Sequence, residues 1–118
     1  MEGWCVLSVG DRTEKRLVGP AALTASNATV GSAVPSSRVW VVKQIAICNT
    51  DGADRVFYLA VGTAATAANR LFSALPIAAG DTIIWDTALV MTATEQFYGY
   101  ADTGSVVTVT AVGWEKEV

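Results

Sequence analysis

Asp51 with Asp54, and Asp81 with Asp86, are the carboxylate pairs whose spacing could place an acid beside a base in this sequence. Two carboxylates facing across a cleft can share glycoside hydrolysis between a proton donor and a nucleophile. Both pairs begin in turn-forming stretches, Asn49-Thr50-Asp51-Gly52 and Ala79-Gly80-Asp81, where an Asp side chain ordinarily accepts hydrogen bonds from nearby backbone N–H groups. Turn capping is therefore the reading taken. Asn49, Asp51 and Asp54 also resemble a fragment of a calcium loop, but Gly52 stands at the wrong position and no Glu closes the pattern, so calcium is not expected. The chain has no histidine, which removes Ser-His-Asp and Cys-His activation and the commonest transition-metal ligand. No glycine-rich phosphate loop is present either. No catalytic residue, metal ligand or cofactor is assigned, and no enzymatic activity is expected.

The remaining candidates are binding residues. Of the four tryptophans, Trp40 and Trp85 lie within apolar runs and read as core, whereas Trp4 and Trp114 stand near the ends of the chain and read as interface. Asn69-Arg70 could form a ligand-binding fork; the reading preferred is an Arg that fixes its loop through backbone carbonyls. Hydrophobic residues make up 52% of the chain and charged residues 16%, against about 25% charged in ordinary soluble domains, so there is more apolar surface than one small core needs. Contacts with other chains would use the surplus. A net charge of -3, with the basic residues scattered, argues against nucleic acid as a partner. No run approaches the ~20 apolar residues of a membrane-spanning helix, and no membrane partner is expected. Glu2 precedes the first apolar run and the basic cluster follows it, the reverse of a secretory signal, so export by that route is not expected. Cys5 and Cys48 read as small buried thiols, with a disulfide between them left open.

These residues need elements to position them. At 118 residues the chain is expected to form one domain. Residues 40–48 are almost wholly apolar apart from Lys43 and Gln44, the pattern of a strand covered on both faces. With the Asn49-Thr50-Asp51-Gly52 turn and the β-branched and aromatic run 56–61, they read as a hairpin, with Gly52 at φ > 0. Residues 64–72 could make one or two helical turns before Pro76. Strands are expected at 82–85, continuing at 88–91 after a bend, and at 95–101. Asp102-Thr103-Gly104 then makes a tight turn, Gly104 also at φ > 0, into the alternating strand 105–114. Residues 17–37 read as extended segments and turns, with Leu23 and Val30 as core anchors. The spacing of turns predicts an all-β fold, an antiparallel β-sandwich or jelly-roll-like barrel of about six to eight strands, with at most one short helix in the 64–72 loop. Residues 1–16, set off by Thr13-Glu14-Lys15-Arg16, form an amino-terminal arm or an edge strand, and residues 17–118 the sandwich.

The stretches VWVVKQIAICNTDGADRVFYLAVG, ANRLF, LPIAAGDTIIWDTALVM and SVVTVTAVGWE give the chain a resemblance to a group of small tailed-bacteriophage virion proteins. The shared features are structural: a strand ending in a CNTDG-type turn, a loop closing on NRLF, an AGDT turn and a terminal Val/Thr strand, together covering about residues 17–114. The resemblance carries over no catalytic residues. It implies a β-sandwich assembled on the virion in the host cytoplasm, as a head decoration or cement protein or as a tail or fibre component. The implied partner is the major capsid protein or another virion protein, and the implied state a homo-oligomer, a trimer being favoured. Trp4, Val6, Leu7, Arg16 and Trp114 are the expected interface residues. Two rivals stand beside this reading: a carbohydrate-binding module in which Trp4, Tyr98 or Tyr100 stacks on a host glycan, and a carboxylate-based glycosidase.

Overall fold

The apolar and β-branched runs become strands in a computed structural model that describes residues 12–117. In chain order these are β1 (Arg12–Ala22), β2 (Ala28–Val30), β3 (Arg38–Asn49), β4 (Arg55–Gly62), β5 (Arg70–Ile77), β6 (Thr82–Thr92), β7 (Gln96–Ala101) and β8 (Val107–Glu117). Sheet A has the order β1-β8-β3-β6 and sheet B the order β2-β7-β4-β5, and neighbours within each sheet are antiparallel. This is the eight-stranded jelly roll, and the expected all-β sandwich is what forms. Successive strands alternate between the sheets except β4 and β5, which pair within sheet B.

The alternation corrects both expected hairpins. β3 pairs with β6 and β8, while β4 pairs with β5 and β7, so the turn after Asn49 is a corner between sheets. Likewise β7 belongs to sheet B and β8 to sheet A. Turn chemistry specifies that the chain reverses but not which sheet the next strand joins. Neither Gly52 nor Gly104 has positive φ, because a corner between sheets does not need the positive-φ residues of a two-residue hairpin turn. The 64–72 segment holds one 3-10 turn, Ala67–Asn69, before β5 begins. Pro76 lies inside β5, an edge strand, where its missing N–H leaves no central ladder bond unmade. The two segments expected around a bend at 85–88 are one strand, β6. The expected boundary after residue 16 falls inside β1: residues 12–16 pair with β8 as an edge strand, and residues 1–11 lie outside the described residues.

The core sits between the sheets. Val42, Ile45 and Ile47 of β3 and Val107, Val109 and Ala111 of β8 face Phe57 and Leu59 of β4 and Phe97 of β7, all fully buried. Leu23 and Val30 join them as expected. Phe72 closes one side of the sandwich, its ring 5.6 Å from Phe57 and 5.2 Å, edge-on, from the half-buried Trp85. Aromatic pairs at such separations add to the burial itself.

Candidate functional site

Sheet A has an inner face that is core and an outer face that no described element covers. In the central strand β8 the buried residues Val107, Val109, Ala111 and Gly113 alternate with Thr108, Thr110, Val112 and Trp114, which point outward. Register continues the outward rows across the sheet. One row runs Glu14, Trp114, Val41, Val90; the next runs Arg16, Val112, Gln44, Asp86; a third contains Thr110, Ala46 and Ile84. The expected pattern of a strand covered on both faces is thus met on one face of β3 by sheet B, while Val39, Val41, Ala46 and Cys48 lie on the outer face. Ile84 is 54% and Val90 58% exposed, large apolar side chains on the same surface.

A bulge shapes the middle of this surface. The pairing of β3 slips between Val42 and Gln44, placing Lys43 as the extra residue opposite Gly113. The Lys43 ammonium lies 5.5 Å from the centre of the Trp114 ring, and the indole N–H of Trp114 donates to Glu14 Oε2 at 3.1 Å. Glu14, Lys15, Lys43, Val112, Gly113 and Trp114 line a shallow open cleft of about 380 Å³ here. At the same end Glu115 binds three groups: Trp40 Nε1 donates to it at 3.0 Å, Lys15 Nζ lies 3.2 Å away, and Arg38 Nε 4.0 Å away. The Trp40 hydrogen bond, followed by the cations, holds the Glu115 carboxyl below its ordinary range against the opposing effect of burial.

The carboxylates considered for chemistry are structural. Asp51 accepts from the backbone N–H of Gly52 at 2.7 Å and from Arg55 Nε at 2.8 Å, and the Arg55 hydrogen bond is the main cause of its lowered pKa. Asp54 accepts from the N–H of Ala79, Asp81 from that of Thr82, and Asp86 from Gln44 Nε2. Each of the four thus accepts at least one hydrogen bond, and among the described residues no group of three or more His, Cys, Asp or Glu could hold a metal. Asn69 fixes the loop before β5 by donating to the Ala64 carbonyl at 2.8 Å, a role expected of Arg70. Arg70 instead lies over the Tyr58 ring, 4.8 Å from its centre, and donates to Ser73 Oγ. Tyr58 and Tyr100 stack at 4.3 Å with planes 9° apart, and together with Tyr98 and Arg70 they border a slot on sheet B too narrow to admit a water molecule.

Arg16 and Trp114, two of the expected interface residues, occupy adjacent rows of one surface, the outer face of sheet A. Trp4, Val6 and Leu7 lie outside the described residues. Reading by motif missed Val41, Ile84, Val90 and Val112. The signal that could have found Ile84 and Val90 was in β6, where apolar residues fall in both alternating sets, Ile83, Trp85 and Leu89 in one and Ile84, Ala88 and Val90 in the other. Also missed was Asn49, fully buried, whose Nδ2 donates to the carbonyls of Ala53 (2.9 Å), Ile77 (3.2 Å) and Ala78 (3.2 Å).

No family model and no curated protein sequence matches the chain. Solved structures share its fold. A subunit of the disulfide-linked pili of Bacillus endospore appendages aligns with a TM-score of 0.55 and 6% identity over 92% of this chain and 89% of that one. A chain of the infectious bursal disease virus T13 particle aligns with a TM-score of 0.55 and 8% identity over 91% of this chain; the protein spans about a third of that chain, 31%. The Tobacco streak virus coat protein aligns at 0.47 with 12% identity, over 92% of this chain and 87% of that one. At these identities the likeness is one of fold.

Proposed function

We propose that this chain is a non-enzymatic structural protein of a virus particle and that it works by assembly through the outer face of sheet A. The observation that carries the reading is that face: a surface of Val41, Ala46, Ile84, Val90, Val112 and Trp114 on a domain whose own core is already complete between its sheets. Apolar surface of this extent outside a finished core marks an interaction site. The fold shared with a chain of a viral particle and with a pilus subunit, both parts of assemblies, supports it by analogy. The finer reading is a head decoration or cement protein of a bacteriophage. Such a protein stabilises by mass action, because only the assembled shell, built of the major capsid protein, presents the whole binding site.

Addition of the purified protein to shells that lack it should give saturable binding and raise the shell's melting temperature, and a reconstruction should place it on the capsid exterior. Density at the tail would replace decoration with a tail or fibre role. No association with any part of the particle would overturn the reading. A second reading, glycan binding, has the sheet B tyrosines in its favour, since lectin domains also use jelly rolls. Tyr100, however, already presents one ring face to Tyr58. Glycan-array binding abolished by Tyr98→Ala would establish that reading.

A further inference from the structure

The outer face of sheet A carries opposite charges at its two edges on one level. Arg16 on β1 and Asp86 on β6 end the row Arg16, Val112, Gln44, Asp86. With three strand spacings of about 4.8 Å between them, they stand roughly 14 Å apart, too far to pair within one chain. Neither takes part in an ion pair among the described residues; Asp86 accepts only a hydrogen bond from Gln44 Nε2 at 3.0 Å. The surface between and around them is the apolar patch of Val41, Val112, Ala46, Ile84 and Val90, with Lys43 folded onto Trp114.

We propose that this face packs against the same face of a second copy, about a two-fold axis lying between the two sheets and parallel to the strands. That operation reverses the strand order while keeping each level along the strands. It lays β1 on the partner's β6 and β8 on the partner's β3, so Arg16 meets the partner subunit's Asp86, and the pair forms twice. An isologous contact requires such self-complementarity. The charges also select the axis. A two-fold axis across the strands would lay β6 on the partner's β6, and the outward residues of β6, Thr82, Ile84, Asp86, Ala88, Val90 and Thr92, include no cation to meet Asp86. Four strands about 4.8 Å apart, over the roughly 30 Å from Val39 to Cys48, give a projected face on the order of 600 Å². The accessible area it buries approaches the ~800 Å² per partner of a standard interface.

The inference rests on reading the outer face of sheet A as an assembly surface, and it is tested on the full chain by sedimentation velocity over a concentration series. A concentration-dependent dimer is expected. Arg16→Asp and Asp86→Arg should each weaken it at least about tenfold, and the double variant Arg16→Asp/Asp86→Arg should restore it, since the pair then forms with its signs exchanged. Val90→Glu should abolish the dimer while melting like the dilute, monomeric wild type, since the only stability it loses is that supplied by pairing. A trimer, a monomer at every concentration, or a double variant no tighter than the single ones would overturn the proposal. So would a chain that pairs only after residues 1–11 are removed, because its own amino-terminal residues would then occupy the face. A protein that binds particles but never pairs defeats this inference alone, and one that pairs but binds no particle defeats only the virion role.

Discussion

Asn49 is the residue on which one end of the sandwich depends. Its amide bonds three carbonyls, its Oδ1 accepts from the Asp51 N–H at 3.0 Å, and its own backbone N–H donates to the Asp81 carbonyl at 2.9 Å. The corner between β3 and β4 is thereby tied to the one between β5 and β6. Asn49→Ala leaves buried carbonyls unsatisfied and should cost roughly 3 kcal/mol, read by urea denaturation. Glu115 ties the opposite end and gives stability a pH dependence. Its folded pKa lies below the ordinary 4.5, so between the two values the unfolded chain binds more protons and stability rises with pH. The contribution is complete above the unfolded value and is lost as the pH falls through the folded one. Asp51 acts in the same direction, but as an exposed group it is screened and counts for less. In a series of melts from pH 6 down to pH 3, Glu115→Gln should therefore lower stability most at the upper end and flatten the acid-side slope.

Among the elements, β8 and β1 bear the most directly on the proposed surface. Gly113 lies under the β3 bulge, and a Cβ there would stand 2.0 Å from the Val41 carbonyl oxygen, which is backbone and cannot swing aside. Gly113→Ala should cost more than about 2 kcal/mol and disturb the outer face. Gly52→Ala, with nothing within 4 Å of the added carbon, should melt close to wild type. Strand β1 runs across the expected boundary between residues 16 and 17. Deleting residues 1–16 removes the pairing of residues 12–16 with β8, together with the Glu14 bond to Trp114 and the Lys15 pair with Glu115. The truncated protein should melt roughly 10 °C or more below the full chain. An unchanged melt would move the boundary back to residue 17.

At the scale of the whole molecule, two sheets enclose one core and leave two outer faces of different character. Sheet B places tyrosines that stack on one another and on Arg70, using up much of their own binding surface. Sheet A places valines, Ile84 and Trp114 with opposite charges at opposite edges. The exposed large hydrophobic side chains among the described residues, Ile84 and Val90, both lie on the second face. Val90→Glu, at a position 58% exposed, should leave the melt of the dilute monomer unchanged and reduce assembly, a separation that a core substitution could not produce.

What the sequence determined by itself is whatever short-range physics can read. β-branched runs between turn residues required an all-β class, the alternation of β8 marked its two faces, and Leu23, Val30 and Trp40 were recognisable as core. Asp51 and Asp81 were legible as caps because an Asx side chain bonds groups one or two residues away, whereas Asp54 and Asp86 accept from Ala79 and Gln44, brought to them only by the fold. The apolar excess announced an interface without locating it. Tertiary structure alone decided the rest. Whether the chain after Asn49 forms a hairpin or crosses to the other sheet depends on β6 and β8 claiming both edges of β3, pairings between residues far apart in the chain. Which side of β3 meets the core follows from that choice, as does the gathering of Arg16, Trp114, Val41 and Val90 onto one surface. Those positions are neighbours only because hydrogen-bonded register aligns four strands, and register is set by burying the opposite face of each strand against sheet B.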